Sequence, residues 1–330
     1  MSVWRCRVSG QRNRREQALT GSVVVIGNFD GVHPGHQQVL AAAKRAEPGV
    51  PLVVLTFWPH PASVVRPDGG PKLLTNLEDR VALLRAAGAD EVRVIDFTRE
   101  LSQQTPAEFV ESHILPLAPR RVVVGENFRF GHRAAGDVAA LTSLGEGRFA
   151  VTGLPLVHVG DEETCSSGVR AALESGDVVH AAELLGRPFR FRGIVRHGDK
   201  RGRELGFPTA NLPVPNEYAC PADGVYAGWV TRMDGRDAHG NPLPAGERTP
   251  AWPAAISVGS NPTFDGHDRR VESFVLDRDD LELYDAPIAV DFCSRIRGQV
   301  RFDGIEALVA QMDADVEATR QALAEARTAG

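Results

Sequence analysis

The chain has 330 residues, enough for two domains at the usual ~150 residues each. Hydrophobic residues make up 42% and charged residues 24%, which suits a packed core and excludes disorder as the main state. The net charge of −6 lacks the basic excess that neutralises a nucleic-acid backbone, which argues against DNA or RNA as the principal partner.

In chain order, Ser22–Gly27 (SVVVIG) reads as a buried strand and Pro34–Arg45 as a helix. Leu52–Phe57 is the next strand, and a helical pattern follows from Leu77 to Ala87. Val92–Phe97 and Arg121–Gly125 are further strands, with a helix over Pro106–Leu115 between them. Alternating units of this size predict a parallel sheet covered on both faces, with ligands at the carboxyl ends of its strands. The loops after Gly27, Phe57 and Gly125 are therefore the places to search.

Near Gly186 the pattern changes. Phe189–Arg196, Gly224–Thr231, Ala254–Val258, Val271–Leu276 and Ile288–Cys293 are short and broken by turn residues, which predicts a small antiparallel barrel. Met233–Thr249 reads as a polar surface loop between two of these strands. A last helix carries Ile305, Leu308, Val309, Met312, Val316 and Leu323 along one face. We expect one domain over residues 1–185 and a second over 186–330.

Cys6, Cys165, Cys220 and Cys293 contain no C-x-x-C pair, so neither a zinc site nor a redox dithiol is expected. Five arginines in Met1–Glu16 have no apolar stretch behind them, and no run approaches the ~18 apolar residues of a membrane helix. The expected address is the cytoplasm, with no membrane partner; oligomeric state is not legible.

Two segments carry chemistry. Gly27-Asn28-Phe29-Asp30-Gly31-Val32-His33-Pro34-Gly35-His36 leaves the first strand and opens the first helix. Pro34 suits a first helical turn, and His33 and His36, three apart, point to one side of it. Free backbone N–H groups and the helix dipole favour an anion there, and the glycines let it approach. A bare H-x-x-H pair is weak evidence; its place at a strand-to-helix turn makes it a phosphate cradle.

This segment resembles the H-x-G-H signature of nucleotidyltransferases. Its flanks are similar to the adenylyltransferase half of bacterial bifunctional riboflavin kinase/FAD synthetases. Thr56-Phe57-Trp58-Pro59-His60-Pro61, Val124 to Gly131 (VGENFRFG) and Ser166-Ser167-Gly168-Val169-Arg170 follow in the family's order. The resemblance implies a Rossmann-like parallel sheet. It also implies that His33 and His36 stabilise charge on the α-phosphate of ATP as the FMN phosphate attacks. Gly27, Asn28, Phe29, Asp30, Gly31, Gly35, Asn127, Ser166, Ser167 and Arg170 then form the nucleotide site. Trp58 stands where the family carries an acidic residue, and Cys165 stands for the first serine of its S-S-T motif.

The second segment, Gly202-Arg203-Glu204-Leu205-Gly206-Phe207-Pro208-Thr209-Ala210-Asn211, contains no P-loop. If it is extended, Thr209 and Asn211 share a face and offer oxygens to a hard cation. It resembles the riboflavin kinase signature, and Asp223–Gly228, Ile256–Phe264 and Arg270–Asp277 agree with that family downstream. By resemblance Gly206 and Pro208 line the nucleotide, Thr209 and Asn211 ligate Mg²⁺–ATP, and Glu272 is the general base. Glu272 rests on resemblance alone, because Val271, Phe274 and Leu276 show no simple alternation. The acidic run Asp277 to Asp285 lacks EF-hand spacing and reads as a solvated turn.

The leading expectation is one polypeptide with two ATP-dependent activities, riboflavin to FMN and FMN to FAD. An alternative keeps the kinase alone, with an impaired adenylyltransferase half. A flavin storage protein and a nucleic-acid-binding barrel are weaker alternatives. Storage has no use for a base or metal ligands, and the charge disfavours nucleic acid.

Overall fold

The β-branched runs of the first half become a five-stranded sheet in the computed structural model. It describes residues 21–66, 69–155, 158–159, 162–163, 165–197, 206–244, 246–263 and 266–328, with the side chains of 158–159, 162–163, 261–263, 266–268 and 327–328 excepted. Cys6, the N-terminal arginines, Gly202–Leu205 and Phe264 lie outside the described residues.

Strands β1 (Ser22–Ile26), β2 (Leu52–Trp58), β3 (Glu91–Asp96), β4 (Pro119–Gly125) and β5 (Ala150–Leu154) lie in the order β3-β2-β1-β4-β5. Every pair is parallel. Alternate residues of the central strands feed two different cores. Val23, Val25, Leu52 and Val54 pack with Leu40 and Ala43 of α1 (Pro34–Ala46) and Leu84 of α3 (Leu77–Ala86). Val24, Ile26, Val53 and Leu55 pack on the other face with Phe109, Ile114 and Leu117. A short α2 (Pro61–Val65) follows β2. The helical stretch from Pro106 opens as α4 (Pro106–Phe109), capped by Thr105, then widens into a π turn over Val110–Ile114 before tightening at Leu115–Leu117. Asp137 caps α5 (Val138–Gly145), which packs on β5. A two-stranded pair, β6 (His158–Val159) and β7 (Glu162–Glu163), precedes α6 (Ser166–Ser175) and α7 (Val178–Leu185).

The second half is an antiparallel sheet that curls into a small barrel. Its strands are β8 (Phe189–Ile194), β9 (Thr209–Pro213), β10 (Gly224–Arg232), β11 (Ala251–Thr263), β12 (Gly266–Val275) and β13 (Pro287–Arg297), in the order β8-β13-β10-β11-β12-β9. The two ends approach where the Arg196 amide donates to the Asn211 carbonyl at 2.8 Å. The terminal helix α8 (Ile305–Thr328) lies over β10, β11 and β13. Its first apolar residue departs from the expected stripe: Ile305 is 67% exposed. The buried face instead takes in Asp315, paired to Arg297 at 2.6 Å, and Thr319.

Packing crosses the sequence division at 185/186. Val169, Leu173, Ala181, Leu184 and Leu185 of α6 and α7 share one apolar cluster with Phe189, Tyr226, Ile256 and Phe292 of the barrel. The cluster also takes in Leu74, from the loop before α3, whose neighbour Leu73 donates its amide to the Glu217 carbonyl at 2.7 Å.

Candidate functional sites: a histidine turn and a strand pair

The order in which strands join the parallel sheet reverses beside β1, where β4 is added on the side away from β2, and the carboxyl ends of β1, β2 and β4 lie together at that switch point. Residues 27–36 leave β1 there and enter α1, with Pro34 in its first turn. The rings of His33 and His36 stack at a centroid distance of 3.6 Å, and Phe29 meets His36 edge-on at 5.1 Å. Nδ1 of each histidine is buried without a hydrogen-bonding partner.

Burial, reinforced by Arg187 and Arg170 against the opposing Asp30, pushes His33 down to about 4. Burial, then His33 and Arg80, holds His36 well below the usual imidazole range. Two stacked imidazoles with the helix N-terminus behind them are thus neutral at pH 7. They gain from an arriving anion that accepts their protons in hydrogen bonds.

Asp30 is the hub beneath this turn. It is 2% exposed and accepts from the Leu74 and Thr75 amides, the Thr75 hydroxyl, Arg80 at 3.1 Å and Arg170 at 2.5 Å. Its carboxylate is filled by protein donors, so it orients two cations toward the turn. The Ser166 hydroxyl donates to the Asp30 carbonyl at 2.8 Å, which ties the start of α6 to the same turn. Cys165 caps that helix, its Sγ accepting from the Gly168 amide at 3.4 Å. Ser167 is exposed on the first turn, and Gly35 is buried in the first turn of α1. Asn127 is exposed at the end of β4, on the same edge of the sheet.

Two participants carried no assigned role in the sequence reading. His60 caps α2, accepting from the Ala62 amide, and its Nε2 lies 3.5 Å from the Asn28 amide nitrogen. Burial is the largest of the effects that push it down to about 4. Its signal was the T-F-W-P-H-P block itself. Arg80 is fully buried and lies 5.4 Å over the Trp58 ring, so a cation–π contact stands where the family's carboxylate is expected. On an amphipathic helix such an arginine reads as solvated, and only the buried demand of Asp30 reveals it.

In the barrel, residues 271–275 of β12 alternate. Val271, Ser273 and Val275 are buried, while Glu272 and Phe274 take the other face. On the neighbouring strand β9, Thr209 stands opposite Phe274 and Asn211 opposite Glu272, so these pairs share that face. The Asn211 side-chain amide donates to the Thr209 carbonyl at 3.2 Å, which brings together the two residues expected to hold a cation. Gly206 lies in the turn leading to β9, and Phe207 packs edge-on against Phe274. Pro208 and Thr209 line a cavity with Ser273, Leu283 and Tyr284, and Tyr284 stacks on His197 at 4.1 Å.

The comparisons with known proteins match the chain half by half. The FAD synthetase family model matches residues 15–168 and the riboflavin kinase model matches 185–323. The bifunctional riboflavin kinase/FMN adenylyltransferase of Bacillus subtilis is 34% identical over 92% of this chain and 92% of its own. The chain belongs to that family. It joins an FAD synthetase domain to a riboflavin kinase domain in one polypeptide. The Escherichia coli (strain K12) member is 32% identical over 95% of this chain and 96% of its own. The same architecture appears in a crystal structure described as a macrolide-efflux protein from Streptococcus pneumoniae. It has a TM-score of 0.79 and 32% identity, covering 91% of this chain and 94% of that one. Among the described residues here, no helix is long and apolar enough to cross a membrane.

Proposed function

We propose that this chain converts riboflavin to FMN in the barrel and FMN to FAD at the histidine turn, with ATP as donor for both. The observation that carries the reading is the coexistence of two separate constellations, each opposite in character. One is a cationic, anion-accepting turn; the other is a carboxylate beside neutral oxygen ligands.

At the barrel, Glu272 accepts the proton of the ribityl hydroxyl as the γ-phosphoryl group moves, and ADP leaves. Thr209 and Asn211 present a hydroxyl and an amide oxygen on one face, a neutral donor set that fits a Mg²⁺ ion whose charge is met mainly by phosphates. Among the described residues no cluster of histidine, cysteine, aspartate or glutamate competes for a metal. When bound, the ion would neutralise charge on the triphosphate. Gly206 and Pro208 shape the approach to that nucleotide.

At the turn, a phosphate oxygen of FMN forms a bond to the α-phosphorus of ATP and the bond to pyrophosphate breaks. His33, His36 and the α1 amides donate to the oxygens on which charge builds, a role typically worth ~10²–10³ in rate per donor. Arg170 and Arg80, fixed by Asp30, add positive potential. Asn28, Phe29, Gly31, Gly35, Asn127, Ser166 and Ser167 complete the nucleotide site on this reading. Such use of ATP assigns the enzyme to the cytoplasm, and its partners are small molecules.

Incubation with riboflavin, ATP and Mg²⁺, with flavins resolved by chromatography, tests the proposal. FMN must appear first and FAD second, with pyrophosphate released. Accumulation of FMN without FAD favours the kinase-only alternative.

A further inference from the structure

The turn that presents His33 holds three residues in the left-handed region: Phe29 at φ 51°, Gly31 at 86° and Val32 at 43°. A β-branched residue there is a true outlier, and such geometry persists only where its surroundings over-determine it. Thr75, Leu74 and Arg80 of the first half hold Asp30 and Gly31, and a second set of contacts comes from beyond it. One Arg187 guanidinium nitrogen donates to the Gly31 carbonyl at 2.6 Å and the other to the Leu185 carbonyl at 3.2 Å. A Cβ on Gly31 would sit 3.2 Å from the Leu185 side chain, and one on Gly186 would sit 3.2 Å from the Pro34 ring. Leu185 belongs to the barrel's apolar cluster. Arg187 lies outside the FAD synthetase match and inside the riboflavin kinase match.

We propose that Arg187 is a positioning residue for adenylylation, holding the Gly31 carbonyl from the kinase side of the chain and thereby aiming His33 and His36. The proposal rests on the adenylyltransferase reading above. A planar fork suits the task because it spans two carbonyls from separate segments, which a single ammonium does less well. The adenylyl site is therefore complete only when the barrel is docked against it. Arg187 also faces His33 electrostatically, together with Asp30 from the same turn, Arg170 from α6 and His36 from α1; Arg80 from α3 faces His36.

The test uses the full chain with Arg187→Met and Arg187→Lys. Four quantities are read: adenylylation of supplied FMN, phosphorylation of riboflavin, the melting temperature, and the His33 imidazole titration by NMR. Small misplacements of catalytic groups cost on the order of 10² in rate, so Arg187→Met is expected to lose about that factor in adenylylation kcat. The KM values for FMN and ATP should stay within about threefold, because a positioning defect falls on kcat. Kinase turnover stays at the parental level, and His33 titrates at a higher pH once the cation is gone. Arg187→Lys falls between the two and carries the comparison if Arg187→Met does not fold. Parental adenylylation in Arg187→Met overturns the proposal. So does a parallel loss of both activities in a variant that still folds, or in Arg187→Lys alongside its loss of folded protein, which marks a structural brace only. A parent that makes no FAD defeats the adenylyltransferase reading instead. The His33 titration then decides the placement of Arg187 by itself, and an unshifted His33 overturns it.

Discussion

Glu272 and Asn211 stand directly opposite each other across the antiparallel pair β12 and β9. Directly opposed residues share a face with Cβ atoms about 4.5–5.5 Å apart, so the carboxylate and the amide of the P-T-A-N motif are neighbours. Glu272→Gln keeps shape but cannot take a proton. FMN formation should fall by roughly 10²–10⁴, the contribution of a positioned base, while adenylylation of supplied FMN continues. Steady-state assays of both steps on one preparation check this, and near-parental phosphorylation would remove Glu272 from its role.

The histidines of the first site make stability depend on pH. Burial holds His33 and His60 at about 4 and His36 well below the ordinary value of 6.5. All three are neutral in the fold, whereas the unfolded chain takes up protons as pH drops through 6.5. The unfolded state then binds more protons, so this stabilisation is complete above about 6.5 and is lost as pH falls toward 4. His33→Gln removes one such group. Its melting temperature relative to the parent should therefore rise steadily from pH 7 to pH 4, and parallel curves would refute the assignment.

Cys165 serves as a helix cap where a hydroxyl is usual. Its thiol accepts from the Gly168 amide at 3.4 Å and sets the start of the helix that carries Ser166 and Arg170. Cys165→Ser should be neutral or stabilising, and Cys165→Ala should cost about 1 kcal/mol, the usual loss for an N-cap. Adenylylation should follow the same order, because Arg170 reaches Asp30 from this helix. Denaturant titration and the FAD assay read the two effects.

We propose that the folding unit of the kinase begins near Cys165. The α6 and α7 side chains Val169, Leu173, Leu184 and Leu185 are buried among barrel residues. A fragment over 165–330 should be monodisperse and phosphorylate riboflavin. One over 186–330 strips these helices away, exposes that apolar surface and should aggregate or unfold. A stable, active 186–330 fragment would return the boundary to Gly186.

Much of this was legible in the residues. The strands β1, β2 and β4 are β-branched runs buried on both faces, and such runs have few other readings. The edge strand β5 escaped notice because Ala150–Leu154 carries threonine and glycine and a mixed burial pattern. Glu272 could not be oriented from sequence because the strand inverts the usual chemistry. Ser273 points inward at 1% exposure, while Phe274 lies on the open face against Phe207. The Asp30 carboxylate is held by protein donors 44 to 140 residues away. Contacts so distant in sequence have no local pattern, and Arg80 and Arg187 were hidden for the same reason.

The central claim is that two separable sites act in series on one chain. The most direct measurement follows riboflavin, FMN and FAD over time in the parent, His36→Ala and Glu272→Gln with ATP and Mg²⁺ present. His36→Ala should stop at FMN, because losing one transition-state donor costs ~10²–10³ in rate. Glu272→Gln should leave riboflavin unconverted yet turn supplied FMN into FAD, and the two variants mixed should restore the full sequence. A parent that makes no FAD from saturating FMN and ATP, or either variant losing both steps while folded, would contradict the account.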